Sequence, residues 1–437
     1  MTKQVKPEFI YSVGDGVTTE EIKYGGKLGF AIYNSGSLRF SEQTTDVGKL
    51  IVYEKLPWLI ANFSSNESLN DEINEEELYK GIRQYIYEQV EMPSELDYEV
   101  LTCWILASWR YQEFQSFPYI CALGPSDSGK TRLLETLHQL SYRGYLGCNM
   151  STASIFRGIN EFGMSIFFDQ GEGFANSPEY GAMLQIFNNG YRKGGQVSRE
   201  YMNPSTNKYE TEYFKIYSPK AIASIDRPAS SLASRCIIFN MRTNTRTEIS
   251  SILNEKKSTE IRNKLLLYRF HYVGNVGNEE KAKTYEEKIK TITMDGRIRE
   301  LFLPLLSIVP NSATLCTLST PPRSIEDALL EYIRHRNQLR INEEQLRPEA
   351  ELTHCITECS KTMAQSRILI DDISNSFNLG KSTREEWSNK AICFKLRDMG
   401  FETKRAAEGT VLINDAKLLS ALQKKYSVTP TDCIPEV

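Results

Sequence analysis

Long apolar runs are missing from this sequence. The most extended uncharged apolar stretches, such as LFLPLLSIVP (301–310), are about half what a bilayer-spanning helix needs, which argues against a membrane protein. The N-terminal MTKQVKPEFIYSVGDG lacks the apolar core of a secretory signal, so a cytoplasmic location is expected. A paired cysteine framework is also missing. The nine cysteines (103, 121, 148, 236, 316, 355, 359, 393 and 433) are scattered, with Cys121 in YICAL and Cys236 in RCIIF, and read as reduced core residues. The one cluster, His354, Cys355 and Cys359, offers three ligands at most on a helical pattern with no second CxxC half, a poor zinc site. Strong charge of one sign is absent. A net charge of −4 excludes a wholesale basic coat for nucleic acid, though not a locally basic surface. Internal repeats and low-complexity tracts are absent too.

What is present is the composition of a globular protein. Its 437 residues are 40% apolar and 25% charged, enough for roughly three domains. Residues 1–70 are rich in alternation and turns. KLGFAIYNSGSLRF (27–40) reads as a hairpin around Asn34, Ser35 and Gly36, and KLIVYEKLPWLIANF (49–63) adds at least one strand, giving a β-rich N-terminal domain. The acidic FSSNESLNDEINEEE (63–77) runs into helical spacing at Leu78, Ile82, Ile86 and Val90, then at Leu96, Val100, Cys103 and Ala107. From Phe117 to Arg246 short apolar strands alternate with helical patterns, so 71–246 reads as an α/β core with leading helices. Residues 247–345 are almost wholly helical and charged, and 346–437 contain a connecting helix and a compact terminal unit.

The most informative stretch is FPYICALGPSDSGKTRLLETLHQL (117–140). A strand, Tyr119 to Leu123, runs into Gly124, Pro125, Ser126, Asp127, Ser128, Gly129, Lys130 and Thr131, and a helical pattern follows. This is GxxxxGK[ST] in its strand–loop–helix context. Gly124 and Gly129 present no Cβ to obstruct phosphates, and consecutive N–H groups form an anion cradle at a helix start. Lys130 supplies a point charge to the β/γ-phosphates, and the Thr131 hydroxyl ligates Mg²⁺. MSIFFDQGEG (164–173) then ends a buried strand with Asp169, at the sheet edge where α/β folds bind ligands. Asp169 is suited to hold the Mg²⁺ water shell. ATP and Mg²⁺ are the expected cofactors.

Between this strand and the next, QVSREYM (196–202) and YETEYFKIY (209–217) flank the turn-prone NPSTNK (203–208). Physically this is a long β-hairpin with a polar, lysine-bearing tip. With the phosphate loop and the Asp169 strand, the chain resembles AAA+ ATPases of the pre-sensor-1 hairpin group, over roughly residues 75–430. Among them it looks most like MCM-like replicative helicases of phages, plasmids and other mobile elements. The resemblance implies a hairpin projected into a central pore, with Lys208 touching DNA and Arg192, Lys193 and Arg199 as basic neighbours. A plain surface hairpin is the alternative. KAIASI (220–225) ends near Ser224 and Asp226, which resembles the sensor-1 position, with Ser224 the named residue. SSLASRCIIFNM (230–241) resembles the helix end whose arginine points at a neighbour's nucleotide. That makes Arg235 the arginine finger, with Arg227 as its rival. In DGRIRELFLPLL (295–306) either Arg297 or Arg299 fills the sensor-2 position; Arg299 is the one placed among the nucleotide-binding residues.

The family pattern has Asp–Glu where this chain has Asp169–Gln170. An amide accepts a hydrogen bond but takes no proton. The expectation is a chain that binds ATP–Mg²⁺ and assembles but turns over slowly. Gln170 is then either an engineered trap, favoured because the rest of the site is intact, or a natural degenerate variant. Glu172, two residues on, can partly substitute.

The C-terminal segment reads as a winged helix. RILIDDISNSF (367–377) is a first helix, and STREEWSNKAICFKLRDMGF (382–401) a second with Trp387, Ala391 and Phe394 or Leu396 inward. ETKRAAEGTVLIN (402–414) is a wing around Glu408 and Gly409, and DAKLLSALQKKY (415–426) closes the unit. Lys390, Lys395, Arg397, Lys404 and Arg405 are placed to meet phosphates, and 381–425 carries ten basic against six acidic residues. A protein-interaction winged helix is the rival, since Glu385, Glu386 and Asp398 dilute the surface.

The reading is an α/β chain: an AAA+ P-loop core (71–246), a helical lid (247–345), a β-rich N-terminal domain (1–70) and a C-terminal winged helix (346–437). Its expected activity is that of an ATP-driven DNA helicase or translocase forming a homo-oligomeric, hexameric ring on single-stranded or forked DNA, for replication of a mobile element. The alternatives are an ATP-gated initiator or loader with little unwinding, and a protein-remodelling AAA+ machine.

Overall fold

The computed structural model describes residues 17–34, 36–42, 56–67, 69–148, 150–169, 178–272, 278–309, 324–363 and 367–426. Ser35, Gln170, Glu172, Cys316, Cys433 and residues 49–55 of the strand expected over 49–63 lie outside them. The fold is mixed α/β, and the chain divides into two compact units, one ending at Ile333 and the other starting at Arg334.

The first unit opens with β1 (Val17–Tyr24), β2 (Lys27–Asn34) and β3 (Ser37–Ser41), an antiparallel sheet joined at β1 by the short parallel β4 (Asn62–Phe63). This sheet is not free-standing. Ile22, Ala31, Leu38 and Phe63 belong to the same apolar core as the helices and the parallel sheet that follow. Glu20 on β1 is buried and accepts hydrogen bonds from the Tyr142 hydroxyl (2.7 Å), Arg143 Nη2 (2.6 Å) and Arg269 Nε (3.1 Å). Burial alone would raise this carboxyl, but Arg143 and Arg269 beside it hold it below the usual carboxylate range.

Helix α1 (Glu75–Gln89) starts where the Asn74 side chain accepts the Glu76 and Glu77 amides, with three glutamates in its first turn favoured by the helix dipole. A reciprocal Ser94–Asp97 capping box starts α2 (Glu95–Ser108). The chain then forms β5 (Tyr119–Leu123), α3 (Lys130–Leu140), β6 (Gly144–Gly147), α4 (Thr152–Phe162), β7 (Ser165–Asp169) and α5 (Pro178–Asn189). A two-stranded hairpin of β8 (Gln196–Asn203) and β9 (Lys208–Lys215) comes next, followed by β10 (Lys220–Ser224), the single turn α6 (Ser230–Ala233) and β11 (Cys236–Asn240). Strands β5, β7, β10 and β11 read YICAL, SIFFD, KAIAS and CIIFN, almost unbroken apolar runs, because helices cover both faces of a parallel sheet. The order is β11-β5-β10-β7-β6, all parallel. The chain leaves β5, second in this order, at Gly124 and returns through α3 to the far edge β6. Such a reversal of strand order opens a crevice at the carboxyl ends of the strands.

Helices α7 (Glu255–Tyr272), α8 (Asn278–Ile292) and α9 (Gly296–Ser307) complete this unit, and α10 (Ile325–Gln345) begins in it. His138 on α3 is largely buried against Phe167, with ring centroids 5.9 Å apart. Burial first, then nearby Arg262, bring its pKa down to about 4. The unfolded chain therefore takes up a proton near pH 6.5 that the folded chain refuses, and stability falls as pH drops from 6.5 toward 4. A loss of roughly 1–2 kcal/mol at pH 5 relative to pH 7.5 is expected from this residue. Urea midpoints should show it, and the pH dependence should be shallower in His138→Gln.

The second unit holds α11 (Pro348–Met363), β12 (Arg367–Leu369), α12 (Ile370–Asn378), α13 (Asn389–Asp398), β13 (Thr403–Ala406), β14 (Gly409–Ile413) and α14 (Ala416–Tyr426), with its sheet in the order β12-β14-β13. Its own core gathers Leu352, Ile356, Ile368, Ile373, Ile392, Leu396, Leu412 and Leu422. Two sequence expectations are corrected here. Residues 367–369 are a strand preceding the first helix, and the second helix spans Asn389–Asp398 instead of 382–401. Its Ser388 cap accepts the Ala391 amide, and Trp387 is pinned before it by two 2.9 Å hydrogen bonds with the Asn378 side chain. The inward residues are consequently Ile392 and Leu396; Ala391 is exposed and Phe394 is 66% exposed. Among the described residues no helix is long and apolar enough to cross a membrane, and no group of three or more His, Cys, Asp or Glu side chains is placed to hold a metal ion.

Candidate active site

The phosphate loop is shaped by two glycines. A Cβ at Gly124 would lie 2.6 Å from the Met241 carbonyl, so only glycine lets β11's continuation pass. Gly129 has φ +82° and is the residue from which α3 starts, a left-handed turn that glycine adopts without strain. Asp127 also takes a left-handed φ of 60°. Inside the loop, Ser128 Oγ (2.7 Å) and Lys130 Nζ (2.5 Å) both donate to the Pro125 carbonyl. The first amides of α3 and the Lys130 ammonium thus converge on one concave loop, a fit for a polyphosphate.

Thr131 Oγ1 donates to Asp169 Oδ2 at 2.7 Å. The hydroxyl at the start of α3 and the carboxylate at the end of β7 therefore meet at the carboxyl edge of the sheet. Their oxygens are hard donors of the type Mg²⁺ takes. Asp169 pairs in register with Ala223 on β10, and Ser224 with Leu123 on β5. Ser224 accepts the Gly124 amide on its carbonyl (3.2 Å), while its hydroxyl donates to the Asp226 carbonyl (2.7 Å). Arg227 follows on the same edge and is exposed.

Arg235 stands at the opposite edge. Its carbonyl accepts the amide of Tyr119, the first residue of β5. Five residues of strand at about 3.3 Å each put it about 16 Å from the phosphate loop of its own chain. Its guanidinium donates to the Asn188 and Ser231 carbonyls and lies 5.9 Å from the centre of the Tyr191 ring. Arg297 approaches the same ring at 5.3 Å. Burial first, then Arg297, lower the proton affinity of Arg235. Arg299, by contrast, donates to the Met294 carbonyl at 3.2 Å. The start of α9 belongs to the Arg235 edge as well, since Ser116 Oγ donates to the Glu300 carbonyl and Arg192 pairs with the Glu300 carboxylate.

Of the basic residues assigned to the hairpin, Lys193 Nζ is bound to the Gln112 carbonyl (2.8 Å), and Arg199 lies 4.8 Å over the Phe156 ring. Lys208, opposite Asn203 at the tip, is exposed and without a side-chain partner among the described residues. At the hairpin root the buried Lys220 Nζ donates to the Gly190, Ile216 and Ser218 carbonyls, and burial holds its pKa well below the usual lysine range. In the second unit Lys395 is taken by Glu349 (2.5 Å) and Lys404 by Glu402 (3.1 Å), whereas Lys390 and Arg405 have no ion-pair partner among the described residues.

No protein family matches the sequence, and no curated protein does. Among solved structures, the chain is similar to an active helicase, Cch of SCCmec type IV, at 12% identity and a TM-score of 0.37, covering 94% of this chain and 80% of that one. It is also similar to the apo C-terminal region of NrS-1, at 10% identity and a TM-score of 0.34, over 91% of this chain and 95% of that one. A third is Cdc6p from Pyrobaculum aerophilum, at 12% identity and a TM-score of 0.20, over 79% and 98%. At such identities and TM-scores the chemistry rests on the chain's own residues.

One feature of the hairpin escaped the sequence reading. Register places Met202 beside Tyr209 and Ser198 beside Tyr213 on one face. Those three large side chains are 50%, 72% and 64% exposed, so the hairpin is aromatic as well as polar. The signal was the alternation of Tyr209, Thr211 and Tyr213, which puts both rings on the same side of a strand.

Proposed function

We propose that this chain is an ATP-dependent DNA helicase or translocase that works as a ring of identical subunits, hexameric by its resemblance to MCM-like enzymes of mobile elements. The observation that carries the reading is the meeting of Thr131 and Asp169 beside a glycine-shaped loop bearing Lys130. Bound ATP–Mg²⁺ would rest on the 124–131 amides and Lys130, with the metal at Thr131 and Asp169 neutralising phosphate charge. Arg235 and Arg297 sit at the far edge of the sheet from that loop and are therefore assigned to a neighbour's nucleotide. Arg297, at the Tyr191 ring, is preferred over Arg299. Arg227, beside its own loop, is set aside as a finger. Ser224 orients the γ-phosphate side of the site, and the hairpin, with Lys208 at its tip, meets DNA. The second unit, as a winged helix, adds phosphate contacts that weaken with salt.

The decisive experiment is forked-duplex unwinding by the Gln170→Glu protein with ATP and Mg²⁺. Asp169→Asn in that background is expected to cut hydrolysis by about 10²-fold or more, as loss of an Mg²⁺-holding charge should. Unwinding untouched by this change would sink the reading. Gln170 itself favours a second reading, an ATP-gated initiator or loader, for which ATP-dependent assembly without unwinding is the expected result.

A further inference from the structure

Helix α13 and the β13–β14 hairpin of the second unit enclose a groove of about 1230 Å³. Its lining includes five cations, Lys390, Lys395, Arg397, Lys404 and Arg405, against two carboxylates, those of Glu386 and Asp398. Lys395 is paired with Glu349, Lys404 with Glu402, and Arg397 Nε donates to the Thr403 hydroxyl, which leaves Lys390 at the start of the helix and Arg405 on the hairpin, on opposite walls, without a side-chain partner among the described residues. Phe394 lies in the same groove, one turn from both Lys390 and Arg397, and is 66% exposed. The core does not need it, because Ile392 and Leu396 fill that role.

We infer that this groove binds single-stranded nucleic acid, with one base stacked on Phe394 and the phosphates on either side held by Lys390 and Arg405. The inference rests on the reading of the chain as a DNA-acting enzyme and names the form of DNA its second unit takes. An apolar ring between separated cations suits a strand whose bases are free, since every base offers a π-face and the backbone brings regular charge. Duplex DNA presents phosphates outside and bases edge-on, and it is read by a helix that projects into the major groove. Here the basic and aromatic side of α13 is one wall of a concavity whose other wall is the hairpin.

The test uses the full chain and a short oligothymidylate carrying one 5-iododeoxyuridine, which cross-links to a stacked aromatic ring on irradiation. Mapping by mass spectrometry is expected to find the adduct on Phe394. Phe394→Ala should remove it and weaken binding by about tenfold with the salt slope unchanged, while Phe394→Trp restores both. Arg405→Ala should instead flatten the salt slope by about 0.7. If duplex competes better than single strand and Phe394→Ala changes nothing, the inference is overturned while the DNA-acting reading survives. If neither form of DNA binds, both fall. If Phe394→Ala abolishes self-association with DNA binding unchanged, the face belongs to a second copy of the chain and the inference is overturned.

Discussion

Replacing Gln170 with glutamate should raise DNA-stimulated ATP hydrolysis by about 10²–10⁴-fold, the range a positioned general base contributes. The change adds a negative charge and a proton acceptor next to Asp169 while keeping nearly the same shape. ATP affinity should stay within a few-fold, because the proposed phosphate contacts come from the 124–131 loop, where Ser128 and Lys130 are already ordered on the Pro125 carbonyl. Single-turnover hydrolysis with and without DNA is the measurement. An unchanged rate would mean that Asp169 and Thr131 hold nucleotide for a purpose other than turnover, as an initiator or loader would.

Arg235→Ala in the Gln170→Glu background should lower the rate by about 10³-fold, the low end for an arginine finger. Its position, opposite the first residue of β5 while the proposed phosphate site lies past the last, predicts an interfacial loss. Subunits carrying Arg235→Ala should therefore be complemented by subunits carrying Lys130→Ala. Mixed rings of the proposed kind would contain interfaces with an intact Lys130 on one side and an intact Arg235 on the other. A mixture no more active than either variant alone would remove Arg235 from the neighbour's site. Arg297→Ala should behave like Arg235→Ala in the same mixing experiment, and Arg299→Ala should not.

What was legible in the sequence was local. The loop 124–131 and the strand ending in Asp169 are short patterns whose chemistry and context lie within a few residues, and the structure brings them together. Helix boundaries in the second unit failed for an equally local reason. Ser382 followed by Glu385 carries the signature of a helix start, but Ser382 Oγ donates to the Glu385 carboxylate at 2.8 Å and closes a turn instead. The true start at Ser388 is fixed by Asn378, on another helix. Partners far apart in the chain were invisible. Glu20 meets Tyr142 and Arg269 across 122 and 249 residues, and no spacing rule spans such distances. The proposed preference for Arg297 over Arg299 rests on the Tyr191 ring in the same way. The ion pair that Lys395 makes with Glu349, 46 residues away in the chain, was equally out of reach.

The buried carboxylate of Glu20 ties the inheritance of two segments together. A chain begun after residue 70 would leave the guanidiniums of Arg143 and Arg269 inside the protein without the carboxylate that pairs with both, a loss that buried charges tolerate badly. The N-terminal sheet is thus not a cargo that recombination can swap for another while the α/β core stays as it is. A new leading segment would have to bring its own acid to the same spot, or the core would have to surrender both arginines at once.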